Sequence, residues 1–146
     1  MGLLGRFRGS RSSNELRTAS AFLLEGDELV DAVGESNYQD ALLGVCGARR
    51  GNAVAYDCVA VLIPEPSNSY DRNAVMVQVD GNLVAYLSRE DAVAYRPAVQ
   101  AAAASGRVIA CNARIAGRGR GGSTLNLGIF LKLPSAHQAL AGLKQG

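Results

Sequence analysis

Two alternating apolar runs that meet at Asp80-Gly81 constrain this chain more than any other feature. Residues 73–79 (NAVMVQV) set Val75, Val77 and Val79 on one side, and residues 83–87 (LVAYL) form the returning run. An Asp-Gly pair accepts the positive backbone angles of a tight hairpin turn, so the two runs read as antiparallel strands. Residues 53–63 (AVAYDCVAVLI) are rich in β-branched side chains and predict a further strand. The stretch from Pro64 to Asp71 is dense in turn formers and reads as a loop.

Ser88, Arg89, Glu90 and Asp91 follow the hairpin as a helix N-cap with acids in the first turn, close to a capping box. The helix continues through an alanine-rich segment to Gly106, a residue suited to the position after a helix C-terminus. Pro97 lies inside it and predicts a break or kink near Tyr95–Arg96. Residues 108–116 and 125–133 predict two more strands, joined by a Gly/Arg loop over 117–124. Upstream, residues 19–29 read as a short helical or extended segment and Leu29–Gly34 as the first strand. Glu35–Leu43 reads as a loop leading into a short helical turn, and residues 136–143 as a last short helix.

About six strands with one main helix make a mostly β, α+β domain in the form of a small mixed β-barrel. Doubly wound nucleotide folds alternate strands with helices, and this order does not. The expected organisation is a flexible basic and acidic arm over 1–27, a folded domain over 28–134 and a tail over 135–146.

With 146 residues, 48% of them hydrophobic, the chain has the material for one core, built mainly from Ala, Val, Leu and Ile because aromatics are only 5% and Trp is absent. Its uninterrupted apolar runs, such as Val59–Ile63 and Ala101–Ala104, fall far short of the roughly 18 residues of a membrane-spanning helix. No apolar stretch follows Arg6, Arg8 and Arg11, so no export signal is read, and Arg6 stands where a myristoylation motif needs Ser or Thr. Cys46, Cys58 and Cys111 have no CxxC spacing and read as free thiols, two of them in strand-like runs. A cytoplasmic location is the expectation.

The net charge of +2 conceals an asymmetry: six acids and no base between Ala19 and Leu42, six bases and no acid from Arg107 onward. Thirteen of the fifteen bases are Arg, whose planar fork suits phosphate and stacks on bases. A one-signed C-terminal third points to an anionic partner, nucleic acid above all, although a bias toward Arg codons accounts for the same composition.

Catalytic constellations are absent from the sequence. His137 is the only histidine, lies in the expected tail and has no nucleophile elbow to serve. Glu90 and Asp91 are accounted for by the helix start. A divergent nuclease would need Asp71 with Glu65 around a metal, and one carboxylate pair does not make that site. No metal and no cofactor are expected. Residues 117–123 (GRGRGGS) lack the Lys of a phosphate-binding P-loop and join two strands; they read as a hairpin loop or as an Arg-bearing clamp on a phosphate backbone through Arg118 and Arg120.

Three stretches taken together resemble the HIRAN domain: residues 33–39 (VGESNYQ), 66–75 (PSNSYDRNAV) and 81–92 (GNLVAYLSREDA). Order and spacing match as well, over roughly residues 28–133. The resemblance implies an OB-like β-barrel with a helix. The family occurs at the N-terminus of helicase-like DNA-repair translocases and as stand-alone bacterial proteins, and it captures the 3′-OH end of single-stranded DNA in eukaryotic members. On that resemblance Tyr38 and Tyr70 would stack on or pack against terminal bases, Asp71 would accept from the 3′-hydroxyl, Asn68 would hold a base edge or phosphate, and Arg89 would bind a phosphate. Asn37 stands where the better-studied members carry a second aromatic, Ser36 where an Arg is expected, and Tyr86 replaces a small polar residue or His and offers another stacking face. The reading is a non-enzymatic DNA-end module in repair or processing; the alternative is a module of the same fold that recruits a helicase or nuclease.

The residues give physical sense to these roles. Stacking on an aromatic tolerates any base. A carboxylate repels phosphate yet accepts from a free hydroxyl, so it can sense an end. Asn68, Asp71 and Asn73 also have a plain reading as turn builders, since their side chains satisfy loop backbone, and Tyr70 has one as a core plug.

Overall fold

The computed structural model describes residues 20–47, 53–120 and 124–145. Seven strands and three α-helices are present among them: β1 (Ser20–Leu24), β2 (Glu28–Val33), a 3-10 turn (Glu35–Asn37), α1 (Gln39–Cys46), β3 (Ala53–Pro64), β4 (Val75–Val79), β5 (Asn82–Leu87), α2 (Arg89–Ala104), β6 (Arg107–Arg120), β7 (Thr124–Leu133) and α3 (Ala136–Gln145). The first nineteen residues of the expected arm lie outside the described residues.

Asp80 and Gly81 have φ of 52° and 81° and join β4 to β5 through a two-residue turn, with Val79 opposite Asn82. From this hairpin the sheet grows outward. β3 pairs with β4, β6 with β3, β2 with β5 and β7 with β2, and the pairing of β7 with β6 closes an antiparallel six-stranded barrel. The OB-like α+β barrel is therefore the fold of this chain.

β1 is the addition. It runs parallel to β6, Ser20 opposite Arg107 through Leu24 opposite Cys111, and β7 takes over the same edge of β6 from Asn112. The sheet thus begins at Ser20, eight residues before the expected boundary. At the other end α3 packs on α2 and buries Ala139 and Leu143, so the expected tail is also joined to the core.

Period-two alternation decides what fills the barrel. Ala60 and Leu62, Val77 and Val79, Ile109 to Ile115 in alternate steps, and Leu127 to Leu133 likewise all belong to one buried cluster. α2 closes on it through Ala92, Tyr95, Ala98, Val99 and Ala102. At roughly 25 cal/mol per Å² of apolar surface, such burial is the main stabilising term.

Ser88 caps α2 by accepting from the Asp91 amide at 3.0 Å, and Gly106 follows the helix with φ of 70°. Of the break or kink expected near Tyr95–Arg96, the break does not occur: α2 runs unbroken from Arg89 to Ala104 with Pro97 inside it. Pro97 is on the exposed face, one turn after Val93, which is 56% exposed. Proline removes the amide donor that the Val93 carbonyl would otherwise have, a loss more easily borne on an exposed face, where water can supply a donor. A second correction concerns 117–124. Strand pairing continues through Arg118 opposite Asn126 and Arg120 opposite Thr124, so residues 117–120 and 124 belong to the strands, and the rest of the expected loop, 121–123, lies outside the described residues.

Candidate nucleic-acid interface

The β3–β4 loop is the most internally bonded irregular segment among the described residues. The Glu65 amide donates to the Ala74 carbonyl at 2.8 Å and closes its base. Asn68 Oδ1 accepts from the amides of Tyr70 and Asp71, at 2.8 and 3.0 Å, while its Nδ2 donates to Glu65 Oε1 at 2.9 Å. Asp71 Oδ1 accepts from the Asn73 amide at 2.9 Å. The turn-building reading of Asn68 and Asp71 is therefore what the side chains do locally. Asn68 spends both ends of its amide inside the loop. It shapes the presentation of its neighbours and has little left for a ligand.

That presentation is unusual. Tyr70 is 87% exposed, so it is no core plug. Arg89, at the first turn of α2, donates from Nη2 to the Tyr70 carbonyl at 3.3 Å, tethering the loop to the helix start. Asp71 is half-buried beside Tyr70, and its Oδ2 has no partner among the described residues.

Tyr86 is on the outer side of β5, between Val33 of β2 and Met76 of β4. Its hydroxyl donates to Glu65 Oε1 at 2.9 Å. Burial and the Glu65 hydrogen bond hold the Tyr86 phenol well above the usual tyrosine range, and the Tyr38 phenol nearby adds to the shift. Tyr38 ends the 3-10 turn and starts α1, so the turn that follows β2 delivers it to Tyr86; Asn37, just before it, is exposed. Tyr38, Tyr86, Glu65, Asn68, Tyr70, Asp71 and Arg89 thus form one continuous neighbourhood from three separate parts of the chain.

The same 3-10 turn builds a cleft on its other side. β2 leaves β7 at Asp31 opposite Phe130, which would leave the β7 edge unpaired. Side chains replace the missing strand. Gln39 donates from Nε2 to the Leu127 carbonyl at 2.8 Å and accepts from the Leu127 amide at 2.9 Å, and Glu35 Oε2 accepts from the Ile129 amide at 3.2 Å. Between this clamp and the β6–β7 ribbon lies a cleft of about 540 Å³, bounded by Ser36, Gln39, Gly117, Asn126 and Phe130. Sequence reasoning missed Phe130 as a surface aromatic. The signal was available: residues 125–133 alternate, and Phe130 is out of phase with Leu127, Ile129, Leu131 and Leu133.

Arg118 and Arg120 lie away from the Tyr70 loop, but the backbone of Arg118 is at the rim of the cleft: it follows Gly117 and is paired with Asn126, both of which bound it. The backbone of the two arginines lies at the Ala53 end of β3, whereas the Tyr70 loop follows Pro64. Those ends of a 12-residue strand are up to about 36 Å apart. The side chains of both arginines lie outside what the structure describes. Two of the other C-terminal bases are engaged within the protein. Arg107 stacks on the Phe22 ring at 4.7 Å and donates to the Leu143 carbonyl, and Arg114 pairs with Asp57 at 2.8 Å.

Among the described residues no group of three or more His, Cys, Asp or Glu is placed to hold a metal ion, and no helix is long and apolar enough to cross a membrane. No protein-family model, curated protein or solved structure matches this chain.

Proposed function

We propose that this protein is a non-enzymatic module that binds single-stranded DNA at its 3′-OH end, in the manner that the resemblance of its three motifs to the HIRAN domain implies. The observation that carries the reading is Tyr70, 87% exposed on a loop held by at least six hydrogen bonds. A large aromatic kept in water on a fixed backbone has no packing role, and a stacking platform is what it is suited to be. Asp71 beside it supplies an acceptor for a terminal hydroxyl and repels a terminal phosphate. Arg89 adds a phosphate contact, and Tyr38 with Tyr86 supplies a second aromatic surface. The cleft beside Ser36 and Phe130 offers a continuation for the strand behind its terminal nucleotide.

The test is fluorescence anisotropy with short single strands ending in 3′-OH or 3′-phosphate, as DNA and as RNA, over a salt series. The expected result is tighter binding of the 3′-OH strand, lost in Asp71→Ala. Tyr70→Ala should weaken binding about 5- to 150-fold, the equivalent of about 1–3 kcal/mol for one stacked base. Binding that ignores the end and collapses with salt would overturn the end-recognition reading.

A protein-recruiting role is the second reading, favoured by β2. Leu29 is 68% exposed there, between the acidic Glu28 and Asp31. Absence of binding to every strand at low salt would favour it, with a helicase or nuclease as the partner class.

A further inference from the structure

The cleft between the 3-10 turn and β7 is built to take a flat ring. Leu127 and Ile129 point into the core, so Asn126, Gly128 and Phe130 are successive residues on the outer side of β7. Asn126 and Phe130 stand about 14 Å apart along the strand, with Gly128 between them. Ala116 lies opposite Gly128 on β6. Two small residues side by side thus open a floor, and the exposed Phe130 ring walls one end of it. At about 540 Å³ the cleft falls within the range of small-ligand sites.

Glu35 leans over the same floor: a Cβ on Gly128 would come within 3.2 Å of its Oε2. That oxygen accepts from the Ile129 amide, and Oε1 has no partner among the described residues. An ionised carboxylate accepts about four hydrogen bonds and donates none, and Ile129 uses one of them. The other polar side chains described around the cleft are neutral: Ser36, Asn126 and Gln39, the last with both ends of its amide already bonded to Leu127. Such a lining repels a phosphate and favours a ring edge that only donates.

The base-pairing edge of guanine presents two adjacent donors, N1–H and N2–H. Adenine and cytosine each present one donor beside a ring-nitrogen acceptor, and thymine presents one donor between two carbonyls, so each of these sets a lone pair against the carboxylate. We propose that the cleft holds a guanine base, stacked on Phe130 and donating N1–H and N2–H to Glu35. A guanine carried by a strand rests on the DNA-binding reading and gives the end module a sequence preference behind its terminal nucleotide. A free guanine nucleotide presents the same edge without that reading.

The test has two arms on the full chain. Amide NMR shifts follow titration with GMP, AMP, CMP and TMP, and anisotropy follows oligothymidine strands carrying a single G or A at each position in turn. GMP is expected to shift the Gly117, Gly128 and Ile129 amides and to bind about 5- to 150-fold tighter than the other three nucleotides. Glu35→Gln keeps an oxygen for the Ile129 amide but sets a donor against the guanine donors, so it should remove the preference and leave the remaining amide spectrum unchanged. Phe130→Ala should weaken GMP binding by a similar factor. A guanine preference confined to the strands assigns the cleft to DNA, and one confined to the nucleotides assigns it to a free ligand; either supports the proposal when Glu35→Gln abolishes it. If no strand binds, the DNA-end reading fails by itself and the nucleotide arm still decides. No guanine preference in either arm, GMP shifts remote from Gly117 and Gly128, or a preference that survives Glu35→Gln overturns the proposal.

Discussion

Glu65 accepts at one carboxylate oxygen from both the Tyr86 hydroxyl and the Asn68 side-chain amide, each at 2.9 Å. One oxygen atom thereby couples the barrel wall at β5 to the loop that displays Tyr70. Glu65 is a positioning residue, and the exposed aromatic depends on it through Asn68.

Glu65→Ala is expected to cost about 1–3 kcal/mol in urea denaturation, because two donors lose their acceptor. Glu65→Gln retains an acceptor oxygen and should cost less. In the Glu65→Ala background a further Tyr86→Phe change should add almost nothing, since the hydroxyl has already lost its partner. Additive costs in that cycle would refute the coupling.

Alkaline pH should unfold this protein early. Burial pushes the Cys111 thiol from 9.0 up to about 12 and the Cys58 thiol up to about 11, and Tyr95, whose hydroxyl donates to the Pro134 carbonyl, from 10.0 to about 12. A group whose pKa folding raises contributes stability that is complete below its unfolded value and is lost as pH rises through the folded one. The loss should begin near pH 9 and steepen past pH 10. Cys111 alone accounts for about 1.4 kcal/mol per pH unit in that window. Urea midpoints at pH 7.5, 9 and 10.5 check this, with Cys111→Ala giving a shallower decline. A midpoint constant to pH 10.5 would contradict it.

Glycine substitutions should separate by position. A Cβ on Gly26 would fall on the backbone of Leu133 and Pro134, so Gly26→Ala is expected to cost about 3 kcal/mol or more. Gly44, within α1, has nothing near a new Cβ, and Gly44→Ala should stabilise by about 0.5–1 kcal/mol. Thermal melts of the two variants should therefore move in opposite directions.

What could be read in the sequence was local. The Asp80-Gly81 hairpin, the Ser88 cap, Gly106 and the alternation of β3, β6 and β7 are each written within a few residues. The extra strand β1 was not, because its partner lies almost ninety residues away and its five residues carry no marked alternation. Pro97 misled for a related reason: whether a proline breaks a helix depends on which face it takes, and tertiary packing sets that face. In the candidate site, the Asx turns of Asn68 and Asp71 were legible. The Glu65–Tyr86 bond was not, since it needs the register of β3, β4 and β5 at once. The charge asymmetry carries no information on pairing. Arg114 and Asp57 are 57 residues apart in the chain and adjacent in the sheet, so a one-signed stretch of sequence does not make a one-signed surface.

The shared edge of β6 also dictates an order of events. β1 and β7 lie end to end along it, and β2 cannot complete its pairing until β7 exists. The first strands of the chain therefore wait for the last ones, while the β4–β5 hairpin can form from neighbours alone. During synthesis on the ribosome β1 has no strand partner until residues beyond Arg107 have emerged, and β2 has only β5 until β7 follows. Closure of the barrel therefore waits for β7, and a nascent chain arrested before β6 is expected to expose an open, adhesive sheet.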